Sequence, residues 1–150
     1  MQTKRKVSAL YKNYIRFEKE LESFNNRLQK LLIPSNYNIS LKKAKKSKLK
    51  ISRVELFIDG NMVYSSSFGK LENFALSQGG RELLFYGPLS HGRHMITFRA
   101  YVEDPKTGKT LLNQKTEKIS LKKGKNTYHE LSLSGSVQSP DVSLSHLGTE

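Results

Sequence analysis

The sequence has no cysteine, no tryptophan and only four prolines in 150 residues, and it carries half as many acidic residues as basic ones, 13 Asp+Glu against 26 Lys+Arg. Zero cysteine excludes a disulfide scaffold, a thiolate zinc site, an iron–sulfur cluster and a cysteine nucleophile. No apolar run approaches the roughly 18–20 residues of a membrane-spanning helix. The opening Met-Gln-Thr-Lys-Arg-Lys has basic residues with no apolar stretch behind them, so no signal peptide is read in these residues. No Gly-x-Ser-x-Gly elbow, Walker loop or Gly-x-Gly-x-x-Gly turn occurs. The one close histidine pair, His91-x-x-His94, stands at a turn–strand junction with no acidic neighbour to act as third ligand. Glu18 and Glu22 are like charges four apart on a helix pattern and read as solvated, not as a catalytic carboxylate pair. These absences lead to the expectation of a non-enzyme that needs no metal or cofactor.

The first 34 residues have one dominant pattern. Val7, Leu10, Tyr14, Phe17, Leu21, Phe24, Leu28 and Leu31 follow each other at steps of three and four without a break. That is a heptad repeat over nearly four heptads, with no glycine or proline inside it. Pro34 cannot continue a helix, so one helix of roughly 40 Å is expected from about Lys6 to Leu32. Its apolar stripe reads as an association surface for a second copy or a protein partner. Packing on the chain's own β-sheet and lying on a membrane surface are the alternatives. Tyr14, Phe17 and Phe24 are bulky for a tight two-stranded seam.

Residues 35–134 read as β. Val54–Ile58 and Met62–Ser65 flank Asp59-Gly60, a hairpin signal. His94–Val102 alternates, with His94, Ile96, Phe98, Ala100 and Val102 on one face and Met95, Thr97, Arg99 and Tyr101 on the other. Arg81–Tyr86, Leu111–Leu121 and Tyr128–Leu133 are further strands, while Leu71–Gly80 reads as a loop or one short helical turn. Six or seven short strands in this length point to an antiparallel β-sandwich of immunoglobulin or transthyretin-like size. The serine- and glycine-rich 135–150 segment reads as a flexible tail.

The net charge of +13 is uneven. Residues 1–34, 35–60 and 105–135 each carry a net +5, and residues 61–104 are neutral. The densest run is Lys42, Lys43, Lys45, Lys46, Lys48, Lys50 and Arg53. It is a candidate anion-binding patch for an acidic surface, lipid or nucleic acid. No aromatic residue interleaves with it, so base stacking is disfavoured. The other reading is a solvated turn whose lysines guard an edge strand.

The order of helix, basic linker, Val54-Glu55-Leu56-Phe57-Ile58-Asp59-Gly60, Gly87-Pro88-Leu89 and Gly92-Arg93-His94-Met95-Ile96-Thr97-Phe98 resembles uncharacterised bacterial exported proteins that pair an N-terminal coiled coil with a small sandwich domain. The resemblance implies a structural or adaptor role in the cell envelope or periplasm, if an export signal has been removed; otherwise the setting is cytoplasmic. It supplies no catalytic residues. A basic module for nucleic acid or another anionic polymer, and a glycan- or ligand-binding sandwich using loop residues near Phe85, Tyr86 and His91, are the alternatives.

Overall fold

The computed structural model describes residues 2–32, 35–45, 47–137 and 139–150, with helix side chains described over 8–27. The chain divides into two compact units, Met1–Ile33 and Pro34–Glu150. The first unit is a single helix, α1 (Gln2–Leu32). Its 31 residues give a length of about 46 Å.

The second unit runs β1 (Ser35–Lys43), β2 (Lys50–Ile58), β3 (Asn61–Ser67), α2 (Lys70–Ser77), β4 (Glu82–Leu89), β5 (Gly92–Glu103), β6 (Thr110–Leu121), β7 (Asn126–Gly135) and β8 (Pro140–Thr149). These strands form two four-stranded sheets, ordered β4-β1-β7-β8 and β3-β2-β5-β6. Alternate residues of each strand face inward. Tyr37, Ile39 and Leu41 from one sheet and Ile51, Val54, Leu56, Ile96, Phe98 and Val102 from the other share one buried cluster. The protein is mainly β, with the two sheets in a sandwich-like arrangement. The Asp59-Gly60 turn has positive φ at both residues, 51° and 80°, which is the backbone a two-residue hairpin favours.

Two expectations are corrected, and one ambiguity is resolved. The sheets are not wholly antiparallel, because β1 pairs antiparallel with β4 and parallel with β7. Hydrophobic alternation reports which face a residue takes but not the direction of its neighbour. Residues 140–149 are not a tail, since β8 pairs antiparallel with β7. Val142 is buried and Leu144 packs on the cluster, while Ser143 and Ser145 face solvent. That is period-two alternation concealed by serine-rich composition. The ambiguous stretch holds the two-turn helix α2, and Asn73 pins it to β2. Ile51 N–H donates to Asn73 Oδ1 (2.9 Å), and Asn73 Nδ2 donates to the Ile51 carbonyl (2.8 Å). Gly79 (φ 86°) ends the helix. At Gly80 a Cβ would sit 2.6 Å from the Ala75 carbonyl oxygen, so no larger residue fits there.

A chain beginning at Pro34 and ending at Glu150 is expected to unfold in one cooperative thermal transition, whereas one ending at residue 134 loses β8 and that cooperativity. Val142→Ala should lower stability by roughly 2 kcal/mol in denaturant titration, by removing buried volume that cannot be refilled.

Candidate functional site

Along α1, the side chains of Leu10, Tyr14, Phe17, Leu21 and Phe24 lie on one stripe and are between 48% and 68% exposed. Tyr11 beside them is also exposed. Val7, Leu28 and Leu31 lie outside the described side chains. The stripe follows from the 3.6-residue period acting on three-four spacing.

Four members of the basic run have partners within the chain. Lys42 Nζ reaches Glu130 Oε1 (3.0 Å), Lys50 Nζ reaches Glu103 (3.4 Å), and Arg53 lies beside Glu55 (3.9 Å) and donates to Ser65 Oγ (2.6 Å). Lys43 Nζ donates to the Leu49 carbonyl (3.1 Å), and burial holds its pKa below the usual lysine value. Lys45 and Lys48 lie in the connection between β1 and β2, and Lys46 lies outside the described residues. Three of these side chains meet the chain's own carboxylates.

His94 and His91 separate. His91 is exposed, while His94 is buried on β5. Its Nδ1 meets Asp59 Oδ2 from the β2–β3 turn, and its Nε2 meets the Ser90 carbonyl at 2.6 Å, with Ser90 Oγ at 3.4 Å. Serine, histidine and aspartate thus stand in the order of a hydrolytic triad. The proton arrangement is wrong for one. The close partner of Nε2 is the Ser90 carbonyl at 2.6 Å, an acceptor, while the Ser90 hydroxyl is 3.4 Å away, so Nε2 donates to the carbonyl and is not placed to take the Ser90 proton. Burial alone would lower the His94 pKa, but the Ser90 carbonyl and Asp59 outweigh it and raise the value. Asp59 is held below the ordinary carboxylate range first by the Met95 N–H and then by His94. The cluster is a charged clasp joining two turns. Its sequence signal was weak, because Asp59 lies 35 residues from His94 and reads as a hairpin residue.

A second histidine cluster lies between the β6 and β8 edges. Tyr37, on β1, has its phenol pKa raised by burial and by Glu117. The Tyr37 hydroxyl and His129 Nδ1 share a hydrogen bond of 2.8 Å. His146 packs edge-on against it, centroids 5.3 Å apart, and hydrogen-bonds Thr149 Oγ1 at 2.8 Å. Burial and the nearby His146 push the His129 pKa down to about 4. A cleft of about 380 Å³ opens here, with Glu117, Lys118, Thr127, His129 and His146 in its wall. Glu117 Oε2 is buried with no hydrogen-bond partner. Among the described residues no group of three or more His, Asp or Glu side chains is placed to hold a metal ion. Sequence reading missed this cluster because its members come from four strands.

The two histidines impose opposite pH dependences. His129 is depressed, so the unfolded chain binds its proton first as pH falls; stability should drop from pH 6.5 towards 4, by on the order of 3 kcal/mol for this group. His129→Gln should flatten that acid limb in thermal melts. His94 is raised, so its contribution is complete below pH 6.5 and fades as pH climbs through the folded value; His94→Gln should remove that alkaline-side loss. Compared with protein-family models, curated proteins and solved structures, the chain matches none, and its function is read from its own side chains.

Proposed function

We propose that this is a non-enzymatic structural or adaptor protein that assembles through α1 and carries an immunoglobulin- or transthyretin-like sandwich as its second module. The exposed stripe from Leu10 to Phe24 carries the reading. A single helix in water draws most of its stability from covering an apolar face. Removing each half-exposed side chain from water contributes on the order of 1 kcal/mol, and an uncovered stripe of this length is an aggregation hazard. The occupant is a second copy of the helix or a partner helix. Tyr14, Phe17 and Phe24 suit a wider multi-helix seam better than a narrow two-stranded one. The resemblance to exported coiled-coil proteins supplies the setting, the bacterial cell envelope.

Static light scattering on the full chain should give a mass at least twice 17.1 kDa, or a stable complex with a partner helix. Leu21→Asp combined with Phe24→Asp should abolish that assembly while the thermal transition of the β-unit stays in place. A monomeric wild type whose double variant loses β-unit stability would mean that the stripe covers the chain's own sheet.

A further inference from the structure

The outward face of the β4-β1-β7-β8 sheet carries a row that neither the helix nor the histidine clusters use. Register places Tyr86 on β4 opposite Asn38 on β1, Asn38 beside Tyr128 on β7, and Tyr128 opposite Gly148 on β8. Tyr86 is 63% exposed and Tyr128 half-buried. A Cβ added at Gly148 would meet nothing within 4 Å, so the row is open beyond Tyr128. On one side of it Asn36 Nδ2 donates to Asn126 Oδ1 (3.0 Å). On the other, Ser40, Glu130 and Ser145 stand in register.

Three charges on this face are engaged with one another. Glu130 is buried and meets both Lys42 (3.0 Å) and Arg81 (2.9 Å). The negative charge of Glu150, with some burial, raises the Tyr128 pKa. A polyanion would meet Glu130 at the centre of this face, with Lys42 and Arg81 already paired to it, and would find exposed lysines in the turn before β7, at Lys122, Lys123 and Lys125. The tyrosine row itself is uncharged, and it combines aromatic faces with amides and hydroxyls. The tyrosines flank β1, two strand spacings apart, roughly 10 Å. That is about the reach of one disaccharide unit in an extended pyranose chain. Sugar rings present C–H faces that stack on aromatic rings, and hydroxyls that pair with amides.

We propose that this face binds a neutral glycan chain, laid across the strands, with sugar rings on Tyr86 and Tyr128 and hydroxyls on Asn36, Asn38 and Ser40. The site is a sheet face rather than a loop cluster. It does not depend on the helix reading.

The test is affinity electrophoresis of the full chain towards the cathode, through gels containing hydroxyethylcellulose, barley β-glucan or glycol chitin, with dextran sulfate as the charged control. At least one neutral polymer should retard the protein at high salt. Tyr86→Ala should weaken that retardation roughly three- to tenfold, the scale of one aromatic contact, and Tyr86→Phe should preserve it. Tyr128→Ala should act likewise. Tyr86 is exposed, so an unchanged circular dichroism melt for Tyr86→Ala separates loss of the ligand from loss of the fold. Retardation by none of the neutral polymers, equal retardation of wild type and Tyr86→Ala, or retardation by dextran sulfate alone that fades with salt would each overturn the proposal.

Discussion

Strand β1 is the element on which the β-unit depends. It lies between β4 and β7, and its inward side chains Tyr37, Ile39 and Leu41 have no exposed surface. Because β1 is antiparallel to one neighbour and parallel to the other, it joins segments far apart in sequence. The hydrogen bond from Tyr37 to His129, the Lys42–Glu130 ion pair and the Asn36–Asn126 bond all follow from that insertion. Each places a polar group against β7 at a position set by the parallel register.

The two sheets do not close equally well along their length. The apolar cluster is dense where β1 and β7 oppose β2 and β5. At the β6–β8 side the buried groups turn polar, with Asn113 Nδ2 and Glu117 Oε2 unpaired and the buried His129 ring against the exposed His146 ring. Edge strands with inward-pointing polar groups resist pairing with further strands. The same feature leaves a buried neutral histidine whose protonation opposes folding. The charged clasp at His94 works in the reverse direction. For these two groups together stability is greatest near pH 6.5, where neither contribution has begun to fade.

The unit surfaces differ in kind. The helix exposes apolar side chains in a line, suited to another apolar surface. The β4-β1-β7-β8 face exposes tyrosine, asparagine and serine, with its ion pairs satisfied internally. The sequence contains enough lysine to suggest a polyanion partner, but position decides what charge can do. Lys42, Lys50 and Arg53 stand against Glu130, Glu103 and Glu55, and what a cation already paired at short range offers to an incoming phosphate is reduced by that pairing.

Local periodicity determined the helix and its stripe, the Asp59-Gly60 hairpin, and the inward face of β5 from His94 to Val102. Each depends on residues within a few positions of one another, where backbone geometry alone sets which side chains align. The tertiary structure decided the parallel β1–β7 pair and gave β8 its place, because two apolar residues among serines make a strand only once a partner edge is present. It also decided every polar cluster. Asp59 with His94, Tyr37 with His129, and Tyr86 with Tyr128 are brought together by strand register, which depends on how whole strands share a core and not on the spacing of residues along the chain.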